Sequence, residues 1–102
     1  MRSLGFGFAA SHPGELLKDE VESRGLKQKA LAEQMGLPYT ALNDILNGRR
    51  NLTAQVAMLF EAALGVSAEM LMNMQLKYNM CMARKDKKFS ARLEAVRNYV
   101  PA

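Results

Sequence analysis

Two short helical patterns stand almost back to back in this chain. From about Gln28 to Met35 apolar residues recur at Leu31, Ala32 and Met35; from Pro38 to a stop at Asn47-Gly48 they recur at Ala41, Leu42, Ile45 and Leu46. Only Gly36-Leu37 separates them, with glycine suited to close the first helix and proline to open the second. Two helices joined by so short a glycine-containing turn form a helix-turn-helix, whose second helix can enter the major groove of DNA.

The second of these helices has two faces that do not mix. At about 100° per residue, Ala41, Leu42, Ile45 and Leu46 fall within roughly 140° on one side, while Tyr39, Thr40, Asn43, Asp44 and Asn47 fill a similar arc opposite. A solvated surface helix has the same pattern; the preceding helix and turn favour a reading head for nucleic acid. Lys27 and Lys29 before it, and Arg49 and Arg50 after it, supply a local basic rim.

Charge is distributed to the same effect. Residues 1–83 hold eight Lys or Arg against eight Asp or Glu, and residues 84–102 hold six against two, so the net +4 comes wholly from the tail. The chain of 102 residues, 49 % hydrophobic and 24 % charged, is sized for one small globular domain. Its single cysteine, Cys81, forms no internal disulfide, and with one histidine, His12, no cysteine and histidine cluster can hold zinc. Self-association is therefore the expected supplement to a small core. The start MRSLGFGFAAS lacks a signal-peptide apolar run and no later stretch reaches membrane-spanning length, so a cytoplasmic protein with no membrane partner is expected.

Helical periodicity continues on both sides of the pair. Pro13 to Gly25 reads as a first helix with Leu16, Leu17 and Val21 on one face and an acidic excess in Glu15, Asp19, Glu20 and Glu22. Thr53 can cap a fourth, with Val56, Leu59, Phe60 and Ala63 inward until Gly65; Ser67 can cap a fifth that runs to about Ala83. RKDKK then reads as a hydrophilic break. Beyond it Phe89, Leu93, Val96 and Val100 recur at helical spacing, as a sixth helix or as a segment that orders on a partner. The expected organisation is an arm at 1–10, strand-like or a flexible terminus, an all-α five-helix domain at 11–83, and a basic extension at 84–102.

The segment LKQKALAEQMGLPYTALNDILNGRRNLT, Leu26 to Thr53, resembles the helix-turn-helix of Cro and repressor-type (XRE) regulators, whose fold is lambda-repressor-like. Gln28, Leu31-Ala32, Gly36, Leu42, Ile45 and Asn47-Gly48 followed by a base carry the likeness. HPGELLKDEV at His12 to Val21, with ILNGRRNLT at Ile45 to Thr53, resembles more narrowly the HigA-type plasmid-maintenance antidotes. The likeness spans about Ser11 to Tyr78. It implies a transcriptional repressor that binds, as a homodimer, the double-stranded inverted-repeat operator of its own operon, and an antitoxin that holds a small ribosome-dependent mRNA-cleaving toxin inactive. The same motif serves stand-alone XRE regulators without a toxin and interaction modules that bind no DNA.

With α-helical geometry and this motif together, the candidate DNA-binding residues are Lys27, Gln28, Lys29, Pro38, Tyr39, Thr40, Asn43, Asp44, Asn47, Arg49 and Arg50. Gln28 fixes the helix pair on the backbone, Tyr39 and Thr40 sit at the deepest end, Asn43 can pair bidentately with adenine, and Arg49 and Arg50 grip phosphates. Three departures from the family stand out. Lys27 with Ala30 replaces the usual capping box, so Lys27 and Lys29 read either as phosphate contacts at a helix N-terminus or as tolerated surface lysines. Asp44 replaces a basic or amide residue; it accepts from cytosine N4, or contacts nothing, or orients Arg49 or Asn47. The basic tail replaces acidic toxin-shielding segments, and reads as a linker, a DNA contact, or a sign that the toxin meets another surface such as the acidic first helix.

In MLMNMQLKYNMCM, Met70, Leu71, Met74, Tyr78 and Cys81 share one face, and Met72, Leu76 and Met80 form a second apolar stripe. A stripe with no core to enter reads as a dimer interface, with a toxin-binding groove as the competing use. No catalytic role is expected: Cys81 lacks a basic partner and reads as a small buried apolar residue, His12 sits at a helix start where it caps or packs, and neither a phosphate loop nor metal-ligand spacing is present. No cofactor or metal is implied.

Overall fold

The computed structural model describes residues 10–102, and the arm at 1–10 lies almost entirely outside them. Six helices follow one another: α1 Pro13–Ser23, α2 Gln28–Met35, α3 Tyr39–Leu46, α4 Ala54–Leu64, α5 Ala68–Lys85 and α6 Lys87–Arg97. There is no strand among the described residues. The architecture is the all-α, Cro-like helix-turn-helix fold.

The turn between α2 and α3 is shaped by its end cap. Gly36 takes the left-handed conformation at φ 70°, open to glycine without steric cost. Its N–H then reaches the Glu33 carbonyl, and the Leu37 N–H reaches that of Ala32 at 2.9 Å, satisfying the last carbonyls of α2. Leu37 packs against the core and so anchors the chain reversal. The third helix begins one residue later than its sequence pattern indicates, because Pro38 keeps an extended ψ of 142° and serves as the cap.

The core joins all five N-terminal helices. Leu17 and Val21 of α1, Leu31, Ala32 and Met35 of α2, and Leu42, Ile45 and Leu46 of α3 are buried, together with Leu52, Phe60 and Leu71. In α4 the innermost line is Ala57, Phe60 and Leu64, with Val56, Leu59 and Ala63 at its margins. Of the expected inward set, Phe60 is fully buried, and Val56, Leu59 and Ala63 lie about one residue off the innermost line. AQVAMLFEAAL is apolar nearly all round, and such a helix carries little phase information.

The fifth helix runs on to Lys85 instead of stopping near Ala83. RKDKK is consequently no extended break. Only Asp86 is non-helical, and its carboxylate accepts the Phe89 N–H at 3.1 Å, capping α6. The tail thus forms the sixth helix. It packs on α5, buries none of its residues, and leaves Phe89, Val96, Tyr99 and Val100 exposed.

Candidate nucleic-acid interface

The helix-turn-helix is seated by the residues His12-Pro13-Gly14. A Cβ at Gly14 would lie 2.0 Å from the Ile45 carbonyl oxygen, so only glycine lets the start of α1 rest directly on the backbone of α3. His12 is buried and caps α1: its Nδ1 accepts the Gly14 N–H at 2.9 Å. That leaves Nε2 to carry the proton and donate to the Arg50 carbonyl at 3.1 Å. The ring also meets Tyr78 of α5 edge to face, 5.0 Å between centroids. Burial lowers the imidazole pKa below its ordinary value, against smaller raising effects of the Arg50 carbonyl and of Glu15.

A second clasp holds the loop after α3 from the other side. The buried Gln75 of α5 accepts the Leu52 N–H at 2.7 Å and donates to Asn51 and Asn79. In the sequence Gln75 belongs, with Tyr78, to the pair on the fifth helix that the HigA-type likeness includes, but no role attaches to it there. A further signal is an amide four residues after Leu71 on an otherwise inward-facing line, while its partner Leu52 is 23 residues distant. His12 and Gln75 together fix the backbone that carries Arg49 and Arg50.

On the outer surface, five of the proposed contact residues form one polar chain. Asn43 Nδ2 donates to Gln28 Oε1 at 3.0 Å, and Asn43 Oδ1 accepts from Arg49 Nη2 at 3.0 Å. Arg49 Nε donates to Asp44 Oδ1 at 3.2 Å, and Arg50 Nη2 lies 3.6 Å from Asp44 Oδ2. Asp44 therefore does not point into empty space; it faces both arginines. With side chains 34–60 % exposed, these ion pairs contribute little stability. Their effect is on orientation.

The other proposed contacts are arranged around this chain. Tyr39, Thr40 and Pro38 are exposed at the start of α3, and Lys27 and Lys29 are exposed at the start of α2, where Lys27 makes no side-chain cap. Asn47 is drawn aside, donating to the Asn43 carbonyl and accepting from Lys18 of α1 at 3.1 Å. On α5, Leu76 and Met80 are 59 % and 44 % exposed. Met72, expected on the same stripe, instead lies half-buried against the core, because α4 packs along that side of α5.

Comparison with known proteins bears on the family and the fold. The helix-turn-helix family model matches residues 17–71. Virulence-associated protein I of Dichelobacter nodosus is 35 % identical over 79 residues, covering 76 % of this chain and 73 % of that protein. Antitoxin HigA-1 of Vibrio cholerae is 44 % identical over 63 residues, 61 % of this chain and 59 % of its own length. Among solved structures, the Pseudomonas aeruginosa antitoxin HigA with the higBA promoter superimposes with a TM-score of 0.71 at 26 % identity, over 90 % of this chain and 96 % of that one. The chain belongs to the Cro and repressor-type (XRE) helix-turn-helix family and is a homologue of the HigA antitoxins.

Proposed function

We propose that this protein is a sequence-specific DNA-binding repressor that acts as the antitoxin of a toxin-antitoxin module, shutting off its own operon and holding a small RNase toxin inactive. The observation that carries the reading is the exposed polar face of α3, locked to Gln28 of α2 and edged by Arg49 and Arg50. The comparison that supports it is the homologous HigA of Pseudomonas aeruginosa, described with its promoter. The protein works by binding, without catalysis, and in the cytoplasm where its operator lies. No helix of the described residues is long and apolar enough to cross a membrane.

The first turn of α2, with Lys27, Gln28 and Lys29, and the side chain of Arg50 hold the phosphate backbone. Tyr39 and Thr40 face the base edges. Leu76 and Met80 of α5 pair two copies about a two-fold axis, placing the recognition helices about 34 Å apart on successive major grooves of an inverted repeat.

Two measurements test the reading. The upstream region of the protein's own operon, labelled, should be bound with an affinity that falls steeply with salt and exceeds that for an unrelated duplex by about a thousandfold or more. Co-expression with the adjacent small open reading frame should yield a co-purifying complex and restore growth. Operator binding without a co-purifying partner would leave a stand-alone XRE regulator.

A further inference from the structure

Arg49 and Arg50 are neighbours in sequence, but the structure treats their side chains differently. Arg49 is gripped along one edge: Nε donates to Asp44 Oδ1 at 3.2 Å and Nη2 to Asn43 Oδ1 at 3.0 Å. Both acceptors belong to the exposed face of α3, so the guanidinium plane is fixed beside that face. Arg50 has only a 3.6 Å approach to the other oxygen of Asp44; the fixed part of that residue is its backbone carbonyl, held by His12.

A guanidinium with its Nε and Nη2 edge occupied still has Nη1 and the outer hydrogen of Nη2 available. That remaining pair of donors matches the O6 and N7 acceptors of guanine in the major groove. Held by two acceptors, the side chain loses little further freedom on binding, and a planar fork retains its direction. Asn43, in contrast, has both ends of its amide engaged, by Gln28 and by Arg49. One N–H and one oxygen lone pair remain on that amide, but its orientation is set by the two partners it joins.

We infer that Arg49 is a specificity-determining residue that reads a guanine in each half-site, and that Asn43 and Asp44 are positioning residues that hold it. This assignment rests on the DNA-binding reading above. It reverses the equivalence of the two arginines: Arg50 alone is a phosphate clamp. It also gives Asp44 a purpose other than contact with cytosine, since the carboxylate lies between arginines and directs one of them while lowering the charge offered to any duplex.

The test is binding-site selection from a randomised duplex library by the full chain, followed by measured affinities for single-base variants of the selected site. Wild type, Arg49→Lys, Arg49→Ala, Asp44→Ala and Arg50→Ala are compared, each checked for unchanged helicity. Arg49→Ala should remove a guanine preference of roughly 10-fold to 100-fold at one position of each half-site; Arg49→Lys keeps the charge without the planar fork, so a reduced preference with retained affinity for unrelated DNA identifies the fork. Asp44→Ala should weaken preference at that same position while tightening binding to unrelated duplex. Arg50→Ala should weaken all sequences alike. An Arg49→Lys chain with the wild-type base profile, or Arg49→Ala weakening every sequence equally, overturns the assignment while leaving DNA binding intact. Failure of the wild type to select any sequence would instead overturn the DNA-binding reading beneath it.

Discussion

At the scale of single residues, the reading head depends on side chains that do not belong to it. His12 supplies an acceptor to the Gly14 N–H and a donor to the Arg50 carbonyl, a pairing that only the neutral imidazole can make. Protonating Nδ1 would set an N–H against the Gly14 N–H, next to a glycine already in close contact with Ile45. Burial lowers the folded-state pKa below the ordinary 6.5, so as pH falls the unfolded chain takes up the proton first. Stability from this group is therefore complete above about 6.5 and declines as pH drops below it, with a slope of at most about 1.4 kcal/mol per pH unit for one proton. His12 is the sole histidine, which isolates its contribution. Urea unfolding between the histidine and carboxylate ranges should show this slope in the wild type and lose it in His12→Asn, which retains a capping oxygen but does not titrate. Equal slopes for the two chains would remove His12 as the origin.

At the scale of elements, the loop between α3 and α4 is ordered from outside, by α1 through His12 and by α5 through Gln75. Gln75→Ala should leave the Leu52 N–H buried without an acceptor and cost about 1–3 kcal/mol in denaturant unfolding; it should also weaken operator binding, since the loop bears both arginines. A variant as stable as the wild type would show that water replaces the amide. What the sequence made legible follows the same division. The spans of α1 to α3 and their inward residues were readable because periodicity is local, and Leu42, Ile45 and Leu46 are all buried as their spacing indicates. The α4 face was not, because apolar residues surround that helix. Met72 was assigned outward by its own helix's pattern and drawn inward by a neighbour that this pattern does not contain. Of the polar chain from Gln28 to Arg50, the Asp44–Arg49 pair is among the readings the sequence offers, whereas the Gln28–Asn43 bond joins positions 15 apart that meet only after α2 and α3 pack.

At the scale of the whole molecule, the arginines of the reading head and the outward apolar pair of α5 lie on different elements. Arg49 and Arg50 belong to the helix-turn-helix, whereas the outward apolar residues Leu76 and Met80 stand on α5, continuous with an α6 that buries nothing of its own. The extents of 59 × 33 × 21 Å and a radius of gyration of 17.1 Å exceed the roughly 13 Å of a compact chain of this size, so the C-terminal helices offer surface beyond what the small core needs. A second copy is the proposed occupant, because two recognition helices on one face of a duplex would need a two-fold axis. Leu76→Glu with Met80→Glu should accordingly give a monomer by light scattering with unchanged helicity, since both side chains already face solvent in the single chain. Like charges brought together at a self-complementary patch would repel across it, and the monomer should bind a full operator no more tightly than a half-site. Met72→Glu, in contrast, should destabilise the fold itself. A double variant that remains dimeric would move the interface off α5, and α6, with Phe89 and Val96 exposed on it, would be the next surface to change.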